Sequence, residues 1–322
     1  MKVYRTILLL LISIVFTNCE QKVTVKKHKL TGINPVAYTD VVFKSSRDTV
    51  FVSTFDGKIY EVINKNENKK LVTTIDDEIY NLAYNTEKKE IYAATLNSGV
   101  VIINASSGTI TRKLPIKDTW AYQICYNRQN GILATFDFKG NHYVWDTKND
   151  FKTIETPKEL NQMRPKYISD NGDIYFDGQG KIISWNYITN DIEQPKISGY
   201  IADVDDEENI LLIRGKEFAF YNSKMDSVFY KKKHPNWPIH LPDKDSIVNV
   251  PLNLEVISGF ATNKFVYTYG LDNSIRKWSK SSGNLTETYS KHKGTLSGMD
   301  MNNYENQLVT VDLLGKIRFW EM

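Results

Sequence analysis

Cysteine is nearly absent. Two occur in 322 residues, Cys19 and Cys125, so a disulfide-stapled fold is excluded. A surplus of one charge is missing too: 41 Lys and Arg face 38 Asp and Glu, a net +3. A general nucleic-acid binder needs a basic field, and that class drops out. No apolar run is long enough to span a bilayer as a helix. There is no G-x-S-x-G elbow, no H-E-x-x-H, no C-x-x-C and no phosphate loop, and no catalytic residue is assigned. Of the five histidines, only His234 and His240 lie close together, around "PNWPI", where two prolines bar helical i, i+4 spacing. The acidic stretch "DVDDEEN" (203–209) lacks the glycine and distal Glu of an EF-hand. It reads as a solvated turn. No metal or cofactor is assigned.

What is present is strand-forming material. Tyr numbers 19 and Phe 14, and 41% of residues are hydrophobic. That suits one large all-β domain. The first residues, "MKVYRTILLLLISIVFTNCE", place Lys2 and Arg5 before an apolar run from Ile7 to Phe16. This has the length and charge of a secretory signal peptide. "FTNC" resembles a lipobox, although Asn18 and Phe16 depart from the favoured residues. The resemblance implies that residues 1–18 are a lipoprotein signal peptide and that Cys19 carries lipid. Glu20 after the cysteine implies, by analogy, a bacterial envelope protein anchored at the outer membrane. Removing 1–18 leaves 39 basic against 38 acidic residues. Cys125, in the apolar "YQICYN", reads as a small buried side chain.

The chain repeats itself. "QLVTVDLLGKIRFW" echoes "FVYTYGLDNSIRKW", "IYFDGQGKIISW", "GILATFDFKGNHYVW", "EIYAATLNSGVVII" and "TVFVSTFDGKIYEV", with "NILLIRGKEFAFY" the weakest copy. Each is a strand, a tight turn and a strand closing on a bulky residue. The turns centre on Gly57, Ser98, Gly140, Gly180, Gly215, Asn273 and Gly315, spaced by 41, 42, 40, 35, 58 and 42. A period near forty with four strands per unit marks a propeller blade. The reading is a seven-bladed β-propeller over 38–322, with an inserted loop at about 231–250.

The last unit resembles a WD40 repeat. His292, Leu296, Met299 and Met301 fit its opening pattern, Thr310 its strand Ser or Thr, and Trp320 its strand Trp. The resemblance implies a hydrogen-bonded network of these side chains with a turn Asp. The Asp position here holds Leu314, so an incomplete network is expected. Thr268, Asp272 and Trp278 match three members in the preceding unit, and no His is found for the others. The resemblance covers the chain in period and only the last two units in motif.

That last unit has three strands. The stretch "KVTVKKHKL" (22–30) alternates like an outer strand and is expected to close the ring as the fourth, within a tether over 19–37. WD40 proteins close in this way. Lys22, Lys26, Lys27 and Lys29 suit either a membrane face or a guarded edge.

The functional expectation is a monomeric, membrane-anchored binding or scaffold module for an envelope protein, peptide or glycan. The alternative is a propeller enzyme, lactonase-like or quinoprotein-like, for which three or more carboxylates converging on the channel would speak. Candidate rim residues are Trp120, Tyr122, Arg164, Tyr200, Trp237 and His240, with Tyr80 nearby. Aromatic and Arg side chains are the usual interface anchors.

Overall fold

The computed structural model describes residues 36–44, 48–63, 66–241, 246–302 and 307–321. The expected leader, Cys19 and the closing strand at 22–30 lie outside the described residues. Seven antiparallel sheets follow one another along the chain, each with its strands in sequence order. Blade 1 runs Tyr38–Phe43, Thr49–Thr54, Lys58–Ile63 and Asn66–Thr74. Blades 2 to 5 open with Ile79–Asn85, Ile124–Asn127, Arg164–Ile168 and Tyr200–Val204, and blade 6 with Val256–Ala261. Blade 7 has Leu296–Asn302, Gln307–Asp312 and Ile317–Glu321. The architecture is an all-β seven-bladed propeller. The only helical element among the described residues is a single 3-10 turn, Lys158–Leu160, and none of those residues forms a helix able to cross a membrane.

The core is seven separate seams rather than one mass. Phe51, Ile59, Ile79 and Ile91 fuse blades 1 and 2. Leu211, Phe218, Val266 and Trp278 fuse blades 5 and 6. The last seam joins the ends of the ring: Val309 and Val311 of blade 7 pack on Tyr38, Val41 and Val50 of blade 1. Middle strands are buried on both faces, as Gln307–Asp312 is at every residue, its polar Gln307, Thr310 and Asp312 included.

The turns between second and third strands fall where the repeat places them, with one shift. The left-handed residue of blade 2 is Gly99, φ +70°, beside the Ser98 expected from the spacing. A Cβ on Gly57 would stand 2.2 Å from the Ile75 carbonyl oxygen. Only glycine lets the blade connection pass that close.

The insertion begins later than the spacing indicates. Residues 231–233 complete the outer strand of blade 5, Val228–Lys233. The extra chain is a two-stranded hairpin, Asn236–Leu241 with Ser246–Asn253, that forms a sheet of its own apart from the blades. Its stem is closed by Leu254 N–H donating to the Pro235 carbonyl at 3.0 Å.

Candidate functional site

Blade 7 holds a complete polar chain in its core. Trp320 Nε1 donates to Thr310 Oγ1 at 2.8 Å. Thr310 Oγ1 lies 2.7 Å from His292 Nε2, and His292 Nδ1 lies 2.8 Å from Asp312 Oδ2. A carboxylate only accepts, so Nδ1 carries the proton and Nε2 accepts from the Thr310 hydroxyl. Leu314 therefore does not leave the network open. The acid comes from Asp312, two positions earlier, whose other oxygen also receives the N–H groups of Leu314 and Lys316. Burial alone would raise Asp312; the His292 and backbone hydrogen bonds outweigh it and hold the carboxyl below its usual range.

Blade 6 has a His after all. Trp278 Nε1 donates to Thr268 Oγ1 at 2.8 Å, and Thr268 Oγ1 lies 2.8 Å from His234 Nε2. His234 is buried and stacks on Trp278 at 14°. The hairpin separates it from its own first strand: His234 precedes Val256 by 22 positions, where His292 precedes Leu296 by 4. That displacement hid it from pattern reading. Asp272 does not reach this chain and instead pairs with Arg276 at 2.5 Å. These networks are internal and offer nothing to a partner.

The rim is different. Trp120, Tyr122, Arg164 and Tyr200 come together in one surface string. Ring centroids are 5.2 Å apart from Tyr80 to Trp120, 6.4 Å from Tyr80 to Tyr122 and 6.3 Å from Tyr122 to Phe136. The Arg164 guanidinium continues it, 6.0 Å from Phe136 and 5.3 Å from Tyr200. Phe138 stacks on Trp120 at 16°. Tyr122 is 52%, Tyr200 57% and Phe138 68% exposed, large values for rings in an interconnected patch. Two adjoining hollows of about 560 and 510 Å³ share Gln162, Arg164 and Gln179. Trp120 sits at φ +69°, a strained value for a bulky residue, of order 1–3 kcal/mol. Its N–H donates to the Leu96 carbonyl at 2.6 Å, and Phe138 N–H to the Thr119 carbonyl at 3.0 Å. The connection is pinned across the turns of blades 2 and 3.

Trp237 stands apart, on the hairpin between blades 5 and 6. His240 shares that hairpin, but its side chain lies outside the described ones. Phe136 and Phe138 were missed from the sequence. The available signal was the second Phe in "FDFKG", an aromatic ring carried within a turn.

The channel presents Asp40, Asp203 and Asp300 from the innermost strands. Three carboxylates meet the number that would speak for an enzyme, yet each is already engaged across a blade seam. Asp40 Oδ2 accepts Leu82 N–H at 2.8 Å, Asp203 Oδ2 accepts Ala261 N–H at 2.8 Å, and Asp300 Oδ2 accepts Phe43 N–H at 2.7 Å. Asn81 Oδ1 does the same for Ile124 N–H at 2.8 Å. Desolvation pushes Asp40 and Asp203 up to about 7, although their outer faces touch the channel cavity. No group of three or more His, Cys, Asp or Glu among the described residues could hold a metal ion.

Solved propellers share this architecture. The WD40 β-propeller domain of Doa1 aligns with a TM-score of 0.68 at 13% identity, covering 90% of this chain and 94% of that one. The RRP9 WD40 repeats and U3-55K each align at 0.68 and 12%, covering 89% and 91% of this chain and 89% and 93% of theirs. The fold is that of a WD40 β-propeller. No family model and no curated protein matches the sequence.

Proposed function

We propose that this chain is a non-catalytic binding module that captures a protein, peptide or glycan on the rim formed by blades 2 to 5. One observation carries the reading: an unbroken aromatic and guanidinium string, exposed at its outer rings, on connections fixed by backbone hydrogen bonds. Aromatic and Arg anchors in such settings carry most of an interface's energy, and truncating one costs about 2 kcal/mol or more. The channel carboxylates favour the enzyme alternative by number only, since their hydrogen bonds are spent on holding blades together. Full-length protein should recover its partner from envelope extracts, and Phe138→Ala and Tyr122→Ala should abolish recovery at unchanged melting temperature. If those changes destabilise the fold as much as Trp320→Ala does, the string is packing and the reading falls.

The anchor and the ring closure belong to the same proposal. The short apolar leader before "FTNC" supports cleavage after residue 18, lipid on Cys19 and a place in the bacterial envelope. Mass spectrometry of membrane-extracted protein tests it, and an intact 1–18 segment would refute it. Blade 7 pairs its third strand Ile317–Glu321 with one neighbour among the described residues. Val36, the first of them, has its carbonyl oxygen against Gly315, at the start of that strand. That contact supports the reading in which 22–30 pair with the third strand of blade 7. Deleting 20–30 should lower stability by roughly several kcal/mol, and an unchanged melting temperature would sink the closure.

A further inference from the structure

We propose that the turns of blades 6 and 7 form a second docking surface, for a partner segment that carries an aromatic side chain flanked by carboxylates. This surface lies outside the rim of blades 2 to 5 and does not rest on that reading.

One turn position recurs around the ring. Phe55, Leu96 and Leu313 each donate their N–H to the chain entering their own blade, to the carbonyls of Ala37, Glu78 and Thr295 at 2.9, 3.0 and 3.0 Å. Leu271 holds the same place in blade 6, three residues after Thr268 as Leu313 is three after Thr310. The position is apolar in all four blades, and its cover differs. Phe55 is 8% and Leu96 3% exposed, whereas Leu271 and Leu313 are each 39% exposed. Leu314, beside Leu313, is exposed further.

The cause lies in the following blade. Pairing of its first strand slips at one bulged residue. In blade 2 that residue is Tyr80, whose ring meets Phe55 of blade 1 edge-on at 6.0 Å. The equivalent residues are Thr39 in blade 1 and Ser297 in blade 7. Both are short and engaged within the fold: Thr39 Oγ1 lies 2.7 Å from Ser53 Oγ, and Ser297 Oγ donates to the Tyr38 carbonyl at 2.7 Å. Blade 6 is followed by blade 7, and blade 7 by blade 1. Their turn leucines therefore lack the ring that Phe55 has. Exposed leucines gain by being covered, and the cover this fold uses elsewhere is an aromatic ring. That precedent is a protein side chain, which favours a peptide over a lipid surface.

The two turns form one surface. Asn273 Nδ2 of blade 6 donates to the Lys293 carbonyl at 3.4 Å, and a Cβ on the next residue, Gly294, would stand 2.7 Å from Leu314 Cγ. Charge names the flanks of the ligand. Lys293 and Lys316 are exposed. The acids of both turns are already taken, Asp272 by Arg276 at 2.5 Å and Asp312 by His292 at 2.8 Å. The leucines thus sit in a cationic fringe, and complementary charge selects partners.

The probe is a short peptide with phenylalanine between pairs of glutamates. It is titrated into full-length protein carrying labelled leucine methyl groups and followed by NMR. Two comparators replace the phenylalanine by serine or the glutamates by lysines. The acidic phenylalanine peptide should shift the methyls of Leu271, Leu313 and Leu314 saturably, at least about tenfold more tightly than either comparator. The Leu313→Ser, Leu314→Ser double variant should weaken it by about tenfold or more at unchanged melting temperature. No saturable shift, shifts confined to other leucines, or a comparator binding equally would overturn the inference. So would a double variant that melts as low as Trp320→Ala, since the leucines would then be packed by this chain itself. Phosphatidylglycerol vesicles bound, or self-association seen, through these leucines while the peptide is not bound would assign the patch to a lipid or a second copy, and would also overturn it.

Discussion

Blades 6 and 7 carry the same Trp, Thr and His chain and finish it differently. In blade 7 the residue two after the threonine is Asp312, which takes the imidazole proton. In blade 6 that residue is Gly270, and the acid four after the threonine, Asp272, turns away to Arg276. A Cβ on Gly270 would stand 2.8 Å from His234 Nδ1, so the His ring fills the space that Asp312 uses next door. The same polar core thus tolerates two placements of its carboxylate, provided the imidazole and the turn are both served.

The comparison breaks most visibly at the tryptophans. Trp278→Ala and Trp320→Ala should each cost about 3–5 kcal/mol, because each removes a buried ring and the indole N–H that its threonine oxygen accepts. Denaturant titration measures this, and a loss under about 1 kcal/mol for either would show that its blade does not depend on the chain. Gly270→Ala comes next, at about 1–3 kcal/mol, since backbone and the His234 ring leave no room. Asp312→Asn in blade 7 should cost about as much, through loss of the charged hydrogen bond to His292.

The pH response separates the two blades further. Burial lowers His234 to about 3, with the Arg276 charge adding to it. Its contribution is complete above about 6.5, the unfolded value, and is lost as pH falls toward 3. Burial also lowers His292, and the hydrogen bond to Asp312 opposes that shift. Asp40 and Asp203 act in the opposite sense. Their folded values near 7 make their contribution complete below about pH 4 and lost as pH rises through 7. The Asp40→Asn, Asp203→Asn double variant should therefore gain stability relative to the parent as pH rises from 4 to 7. A constant difference between the two over that range would contradict it. The smallest effect is expected at Leu314, 56% exposed. Leu314→Asp puts an acid at the position the WD40 pattern favours and should change stability by less than about 0.5 kcal/mol, because Asp312 already holds the imidazole.

Much of the fold was legible because blade geometry recurs: the period, the turn positions and the closing Trp145, Trp185, Trp278 and Trp320 all follow from strand length and turn chemistry. The site was less so. Asp312 was invisible to a reading that compares residues position by position, since hydrogen-bond reach, not register, decides which acid serves. His234 was hidden by the hairpin placed after it. Trp120, Tyr122, Arg164 and Tyr200 were named singly from their place near strand openings, but their joining through Phe136 is a three-dimensional fact. Trp237 shares their kind of connection and not their company.

The hairpin stem has an engineering meaning. His234 locks the incoming chain into the core, Leu254 is fully buried on the way out, and the Pro235–Leu254 backbone bond ties the two ends together. The strands between them form a two-stranded sheet separate from the seven blade sheets. Foreign segments of quite different length and sequence could be spliced between 236 and 253, because lengthening a loop whose ends are already held adds only about 0.6 kcal/mol per doubling. The propeller comes with a ready-made socket.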